Sequence, residues 1–261
     1  MKTQDFIHPE DEKALRALNS LSIINPLIRI YMKYGCEDYY LGENLGTMVK
    51  VSETSYPALE KMVDTISTKI GIKTPQLFIY NDPYMNAFTY GVENPFVAIS
   101  SSMLEIMNVE EVTCVIAHEC GHIKCKHSFY KTLLHRIENL GYIVGLISET
   151  ALGPIYLALQ YWNRRSEFSA DRCAAVLVGE KVFQRTMLKL TSGVSEINGD
   201  DYQLVKQAKD YFMHENSSWW NKIQQNCRVA FNSHPQIVCR AYEIERWKES
   251  FSYQRLRSSL G

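Results

Sequence analysis

The sequence predicts an α+β fold that is mostly helical, with a small mixed β-sheet. Three short runs of β-branched and aromatic residues, at 76–80, 87–90 and 96–100, are separated by Asn-Asp-Pro and Glu-Asn-Pro turns. From Asn108 onward, apolar residues recur almost throughout at helical spacing. These two observations together predict one small sheet followed by a helical body.

Size, charge and cysteine content are those of an ordinary soluble globular protein. The 261 residues suffice for one full hydrophobic core, and 46% of them are apolar and 22% charged. A net charge of -1 gives no reason to expect nucleic acid as a partner. Seven scattered cysteines and the lack of an apolar segment near the N-terminus lead us to expect reduced thiols in a cytoplasmic protein.

The region before the strands is expected to contain two helical segments around a loop. Leucine and isoleucine recur at helical spacing across 8–34, although Pro26 interrupts the pattern. The tyrosine-rich stretch 35–46 is expected to be loop or turn. Residues 55–70 are typical of an amphipathic helix, and Pro57 suits its first position.

The helical body begins with a segment whose start and buried face can both be assigned. Asn108 can cap the helix, and Glu111 stands three residues later, at the spacing of a capping box. Val112, Val115 and Ile116 fall on one side of the helix, as a buried face requires. We expect this helix to lie beside the sheet.

Later segments are predicted with less detail. The longest apolar region, 140–162, contains Glu149 as its only charge and is broken by Pro154, so neither side is long enough for a membrane span. We expect two buried or half-buried helical pieces there, and a peripheral membrane hairpin is the alternative. Residues 195–201 are expected to form a surface loop and 235–256 a final helix.

The most informative stretch of the chain is His118-Glu119-Cys120-Gly121-His122. Two histidines four residues apart lie one above the other on a helix, so their ring nitrogens can converge on one metal ion. Glu119 lies within reach of a water on that metal and can accept its proton. Gly121 has no side chain and lets a strand or a substrate approach closely. The alternative is that both histidines merely cap or pack on the helix.

A hydrolytic zinc ion usually has three protein ligands, and Glu167 is the best third candidate after the histidine pair. Glu167 and Asp171 stand four apart on a predicted helix and share one face. Glu167 can bind the metal while Asp171 accepts a hydrogen bond from a ligand imidazole. The alternative is an ordinary solvated helix whose acids pair with neighbouring arginines.

Other side chains compete for the ligand positions. Cys114 and Cys125 lie one turn on either side of the histidines, and a cysteine ligand would indicate a closed structural zinc site. Because their short side chains would have to reach along the helix axis, we expect them to pack in the core. His127 is expected to point nearly opposite to His122, and His135 has no partner at metal spacing. Both are expected to be ordinary surface or helix-end histidines.

His234 lies just before the predicted final helix, within Ser233-His234-Pro235. A histidine at that place can face the cleft and donate a hydrogen bond to the oxyanion of a tetrahedral intermediate. It can equally be an exposed residue of a capping segment. The residues alone leave both interpretations open.

Several motifs, taken in order, make the chain resemble a known family. They are Asn86-Ala87-Phe88-Thr89-Tyr90-Gly91, Pro95-Phe96-Val97-Ala98-Ile99-Ser100, Ala117-His118-Glu119-Cys120-Gly121-His122, Glu167-Phe168-Ser169-Ala170-Asp171-Arg172 and Ser233-His234-Pro235. Between about Pro75 and Arg246 the chain resembles the gluzincin metallopeptidase family that contains HtpX and the CAAX prenyl endopeptidase, and in particular its soluble bacterial members.

The resemblance implies a zincin-like fold and a zinc-dependent endopeptidase with one Zn²⁺ ion per chain. The zinc ligands that it implies are His118, His122 and Glu167. It also implies that Glu119 is the general base, that Asp171 supports a ligand histidine and that His234 stabilises the transition state. The chain is accordingly expected to be one metallopeptidase domain, 1–261, with an N-terminal helical extension, 1–55, and a catalytic core, 56–261.

The resemblance further implies that Asn86, Ala87 and Phe88 lie on an edge strand that pairs with an extended peptide or unfolded protein, as strand addition allows. A plain core strand is the alternative. Two departures from the family stand out. HtpX-like members carry transmembrane helices, which this sequence lacks, so we expect membrane contact only peripherally, through 140–162. Cys120 stands where leucine is usual, and we expect it to pack away from the site.

Two other functions fit parts of the pattern. One is a catalytically silent peptide-binding or chaperone-like module that keeps the metal fold. The other is a structural zinc protein with a cysteine ligand, which predicts four protein ligands and no exchangeable water. A glutamate beside an open metal position favours the enzyme over both.

Overall fold

The structure, a computed structural model, describes residues 1–20, 30–144, 152–218 and 234–260, apart from the side chains of 140–144 and 152. The strands are β1 (Val49–Lys50), β2 (Gln76–Tyr80), β3 (Ala87–Tyr90) and β4 (Phe96–Ser100). The described α-helices are α1 (Pro9–Ser20), α2 (Glu37–Thr47), α3 (Pro57–Ile70), α4 (Ser101–Ile106), α5 (Val109–Lys124), α6 (Ser128–Val144), α7 (Leu152–Val178), α8 (Glu180–Ser192), α9 (Gln203–Asn216), α10 (Ile237–Trp247) and α11 (Phe251–Leu260). The predicted α+β class, mostly helical with one small sheet, is confirmed.

The described strands form one mixed sheet in the order β1-β2-β4-β3. β2 and β4 run parallel, with Gln76 opposite Phe96, whereas β1 and β3 are antiparallel to their neighbours. β4 is buried over its whole length, as a central strand covered on both faces must be. Three strands have the predicted bounds, and β1 is too short to show a pattern. Edge strand β3 packs against α5, so the sheet lies beside the helix of the histidine pair, as predicted.

Helix α5 begins at the predicted capping box. The Asn108 side chain accepts a hydrogen bond from the Glu111 N–H at 3.0 Å, and Glu111 Oε2 accepts one from the Asn108 N–H at 2.8 Å. Lys189 on α8 donates to the same Glu111 oxygen at 2.7 Å. The Glu111 carboxylate thus accepts hydrogen bonds both from the N-cap of α5 and from a lysine of α8. This shared contact ties the start of α5 to α8.

The crossing of α5 and α7 is the closest helix contact near the histidine pair. A Cβ atom added to Gly121 would lie 2.8 Å from the Cβ of Cys173 and 3.1 Å from the Cα of Ala170. The missing side chain therefore admits helix α7, and the prediction that a strand or a substrate approaches Gly121 is wrong. Cys120 and Cys173 are fully buried at this crossing, where they pack as small apolar groups.

The region before the strands differs from its prediction at one point. Residues 35–46 were expected to be a loop, but a π-helical turn at Tyr31–Cys36 continues directly into α2. Cys36, Tyr40 and Asn44, spaced four apart, are buried on one face. An added Cβ at Gly42 or Gly46 would meet nothing within 4 Å, since both face outward. Burial of the tyrosine face thus outweighs the low helix propensity of the glycines.

The C-terminal region also differs from its prediction. The single helix expected at 235–256 is two helices, α10 and α11, because Ser250 Oγ accepts a hydrogen bond from the Tyr253 N–H at 3.2 Å and starts a new helix. The irregular stretch at 195–201 is confirmed. Helix α3 confirms the prediction at 55–70, and α1 that for the start of 8–34.

Parts of two predicted segments, 21–29 and 145–151, lie outside the described residues. The first contains the interruption at Pro26, and the second the middle of the apolar region 140–162. Across the described ranges, no helix combines the length and the apolar character that a membrane span needs.

Substituting Gly121→Ala is expected to lower the free energy of unfolding by about 1–3 kcal/mol, because the new methyl group overpacks the α5–α7 crossing. Gly42→Ala is the matched control. It adds the same methyl group to an exposed helical position and is expected to raise that free energy by about 0.5–1 kcal/mol. Thermal and urea unfolding measure both changes. Equal effects of the two substitutions would contradict the close crossing.

Candidate active site

Helices α5 and α7 bring three potential metal ligands together. His118 Nε2 lies 3.2 Å from His122 Nε2. Glu167 Oε1 lies 3.1 Å from His122 Nε2, and Glu167 Oε2 lies 3.3 Å from His118 Nε2. His122 and Glu167 are fully buried, and the side chain of His118 is 12% exposed. The described residues form no other cluster of three histidine, cysteine or acidic side chains with ligand atoms this close.

The second carboxylate of α7 supports His118 from behind. Asp171 Oδ1 lies 2.9 Å from His118 Nδ1, and Arg240 donates to both Asp171 oxygens at 2.6 and 2.8 Å. Burial alone would raise the pKa of Asp171, but Arg240 and His118 hold it below its usual value. Against the effect of burial, Asp171 and Glu167 raise the pKa of His118 to about 9. An ionised Asp171 keeps a proton of His118 on Nδ1, so Nε2 is the nitrogen available to a metal ion shared with Glu167. Both acids are buried, and the alternative of an ordinary solvated helix is wrong.

His127 corrects a prediction, since it is fully buried and not a surface histidine. Its Nδ1 lies 3.0 Å from Nδ1 of His122, and its Nε2 lies 3.0 Å from Oδ2 of Asp11 on α1. The reason is the turn after α5, where Lys126 has a φ of 61° and the His127 N–H donates to the His122 carbonyl at 2.9 Å. Helical spacing therefore does not extend to His127. A positive φ at a lysine has no sequence signal.

Lys131 is a site residue that the sequence did not indicate. From the first turn of α6, its Nζ lies 3.1 Å from Glu167 Oε1 and 3.1 Å from His122 Nε2. Burial raises the pKa of Glu167, but Lys131, His234 and His122 outweigh it and hold that pKa well below its usual value. Burial and Lys131 both lower the pKa of His122. Glu167 is therefore ionised and His122 neutral, the states in which both bind metal ions.

Glu119 has the opposite environment. It is 5% exposed, and its Oε2 has no hydrogen-bond partner among the described residues. Burial raises the pKa of Glu119 above its usual value, although Lys131 and His118 oppose the shift. Two neighbouring carboxyl groups, Glu119 and Glu167, thus have pKa values displaced in opposite directions. Such a pair is typical of sites in which one carboxylate stays ionised and the other exchanges a proton.

A cavity of about 230 Å³ joins the metal cluster to the end of the sheet. The residues predicted for the site that line it are Asn86, Ala87, His118, Glu119, Glu167 and His234. His234 Nε2 lies 3.7 Å from Glu167 Oε2, and its side chain is 55% exposed. Phe88 does not line the cavity, because its ring packs against Tyr80 and Tyr90 at centroid distances of 5.4 and 5.0 Å. The outer edge of β3 has no partner strand among the described residues.

The remaining competitors are not positioned as ligands. Cys114 and Cys125 are buried in the core, as expected, and burial raises the pKa of Cys114 to about 12. His135 is half-buried and stacks on Tyr90 at a centroid distance of 4.5 Å, so it is not the surface histidine that was expected.

The residues of the cluster fit a metal ion. Glu167 Oε2 and Glu119 Oε2 are buried oxygens without hydrogen-bond partners in the described chain. The ammonium group of Lys131 is itself a cation held by two of the three candidate ligand atoms. Two imidazoles and one carboxylate are also a donor set that zinc prefers in hydrolytic sites.

Comparison with known proteins agrees with this geometry. A family model described as peptidase family M48 matches residues 53–248. The chain belongs to peptidase family M48. This family consists of metal-dependent peptidases, as the resemblance seen in the sequence implies.

Two relatives illustrate the range of the M48 family. The chain is 29% identical to plastoglobule-localized metallopeptidase 48, chloroplastic, of Arabidopsis thaliana, over 98% of this chain and 76% of that protein. It is 31% identical to a protease HtpX homolog of Dictyoglomus turgidum, over 74% of this chain and 71% of that protein. Among solved structures, the crystal structure of S. mikatae Ste24p aligns with 89% of this chain and 58% of its own, with 14% identity and a TM-score of 0.49.

Substituting Lys131→Met is expected to tighten binding of Zn²⁺, because it removes a cation that contacts two of the ligands. Relief of only about 1.4 kcal/mol of charge repulsion corresponds to roughly tenfold in affinity. Chelator competition measures the dissociation constant. Lys126→Met, at an exposed position five residues earlier, removes the same charge and is expected to leave the affinity unchanged. Weaker binding by Lys131→Met would mean that the lysine supports the ligands.

Proposed function

We propose that the chain is a zinc-dependent metalloendopeptidase that binds one Zn²⁺ ion through His118, His122 and Glu167. The observation that carries this proposal is the location of Glu119, a buried carboxylate with a raised pKa, in the cavity that the candidate ligands His118 and Glu167 also line. A closed structural site has no need of a proton acceptor beside its ligands. The donor set, the cavity and the family membership support a hydrolytic site.

The chemistry divides between the ion and the side chains around it. A bound zinc ion lowers the pKa of a water molecule and polarises the scissile carbonyl. Glu119 accepts the proton of the attacking water and later passes it to the leaving amine, a role that its raised pKa suits. His234, whose Nε2 lies 3.7 Å from Glu167 Oε2, donates a hydrogen bond to the developing oxyanion. Asp171 holds the His118 ring in the tautomer that leaves Nε2 free to bind zinc.

We propose that the substrate is an extended peptide or an unfolded protein that adds to the outer edge of β3. Asn86 and Ala87 line the cavity, so a strand paired along this edge passes the candidate zinc ligands. The Ser100 N–H donates to the Asn86 carbonyl, so antiparallel alternation turns the backbone of Phe88 toward β4 as well and leaves that of Ala87 at the outer edge. Phe88 supports the edge indirectly, since its ring anchors the strand on Tyr80 and Tyr90.

The same proposal covers the organisation of the chain. Residues 1–261 act as one metallopeptidase domain, in which the extension 1–55 is packed on the core 56–261. Burial of Ala14 and Leu18 of α1 in one cluster with Trp162 of α7 supports this organisation. We further propose that the protein works in the cytoplasm, with peripheral membrane contact through 140–162 as the alternative.

The proposal is tested by cleavage of denatured casein, with the zinc content determined on the same samples. Wild type is expected to cleave and to contain about one zinc per chain. Glu119→Gln is expected to keep the zinc and to lose about 10²- to 10⁴-fold in rate, since the proton acceptor is gone. His118→Ala is expected to lose both zinc and activity.

The control for the glutamate is Glu110→Gln, which removes the same charge at an exposed position of α5 and is expected to cleave like wild type. Near wild-type cleavage by Glu119→Gln would refute the mechanism. Zinc in wild type without cleavage of casein or of a panel of unfolded proteins would favour the catalytically silent module.

A further inference from the structure

A buried carboxylate of the N-terminal helix is linked through His127 to the candidate metal ligand His122. This carboxylate lies outside the region that matches the family model. Asp11 lies on α1, whereas the M48 match covers residues 53–248. Asp11 is nonetheless fully buried and lies 3.0 Å from the ring of His127. Burying an ionisable group is costly unless the group is paired, so this placement requires a reason.

The two histidines between Asp11 and the cluster form a continuous line. Oδ2 of Asp11 lies 3.0 Å from Nε2 of His127, and Nδ1 of His127 lies 3.0 Å from Nδ1 of His122. Nε2 of His122 in turn lies 3.1 Å from Glu167 Oε1. The contacts are 3.0 to 3.1 Å long, and the side chains of Asp11, His127 and His122 are all fully buried.

Only one arrangement of protons satisfies this line when His122 binds a metal. Nε2 of His122 must then carry a lone pair, so its Nδ1 carries the proton and donates it to His127. His127 accepts at Nδ1 and is therefore protonated at Nε2, the nitrogen that lies 3.0 Å from Asp11 Oδ2. An ionised Asp11 can accept a hydrogen bond but cannot donate one. The donors along the line therefore all point from His122 toward Asp11.

We propose that Asp11 and His127 are positioning residues that fix the tautomer and the ring orientation of His122 as a metal ligand. This inference rests on the proposed zinc site. His118 has its own supporting carboxylate, Asp171, in direct contact. His122 has one as well, but it is supplied by α1 and acts through His127.

The surroundings of Asp11 agree with this role. Oδ2 also accepts a hydrogen bond from Ser169 Oγ at 2.5 Å, and the His8 N–H donates to the same hydroxyl at 2.9 Å. Burial raises the pKa of Asp11, and the hydrogen bond from Ser169 is among the contacts that lower it. Ser169 lies on α7 between Glu167 and Asp171, and it ties α1 to the helix that carries both acids.

A consequence is that docking of α1 and metal binding depend on each other. When α1 leaves its place, His127 loses the acceptor that orders its proton, and His122 then binds the metal less tightly. By linkage, a bound metal stabilises the docked α1 to the same extent. The N-terminal extension is thus part of the metal site and not merely an appendage to the core.

The affinity test is a double-mutant cycle. Zn²⁺ affinity is measured by chelator competition for wild type, Asp11→Asn, His127→Gln and the double variant. Asp11→Asn is expected to weaken binding by about 10- to 100-fold, the usual effect of removing such a supporting partner. In the His127→Gln background the same change is expected to have little further effect, because the two residues act as one unit. Glu12→Gln, which changes the neighbouring charge on α1, is expected to bind like wild type.

A second measurement does not depend on the folding of any variant. In wild type with Zn²⁺ bound, ¹⁵N-histidine NMR is expected to find His127 neutral with its proton on Nε2, and His122 with its proton on Nδ1. A purely structural role of Asp11 predicts neither this tautomer pair nor the non-additive cycle.

The outcomes separate the two proposals. Wild type that binds no Zn²⁺ would overturn the proposed function and this inference with it. Wild type that binds Zn²⁺ while folded Asp11→Asn binds it equally well would overturn this inference alone. Additive losses in the cycle, or a His127 protonated on Nδ1, would do the same.

Discussion

The close crossing of α5 and α7 is the contact on which the rest of the site depends. Gly121 lies between the two histidines of the cluster in α5, and its missing side chain lets Ala170 and Cys173 of α7 approach to van der Waals distance. Glu167 and Asp171 lie within one helical turn of that contact on α7, and both reach the histidine pair. Moving the helices apart by the thickness of one methyl group would separate the candidate ligands and open the cavity.

Electrostatic balance is the second constraint, because the crossing buries several carboxylates close together. Asp171 is paired with Arg240, and Glu167 is held by Lys131 and the histidines, so both stay ionised. Glu119 has no such hydrogen-bonded cation among the described residues, and burial raises its pKa. The arrangement thus favours a bound cation beside Glu167 and a proton acceptor at Glu119.

The helices and strands whose residues repeat at helical or strand spacing could be predicted from the sequence. The site residues that such spacing places on one face could be predicted as well. Spacing within α5 and α7 indicates His118, His122 and Glu167, because side chains four apart share a face. The missed features depend on contacts that are distant in sequence. Helix α2 forms because its tyrosine face is buried, and His127 reaches His122 through the left-handed turn at Lys126. The partnership of His127 with Asp11 has no signal in either segment alone.

The most direct test of this account is anomalous diffraction at the zinc absorption edge from crystals of the wild-type protein with Zn²⁺ bound. The account predicts a single strong peak within about 2.0–2.2 Å of His118 Nε2, His122 Nε2 and a Glu167 oxygen, with an open fourth position toward Glu119. A peak bonded to Cys114 or Cys125, or no peak between α5 and α7, would contradict it.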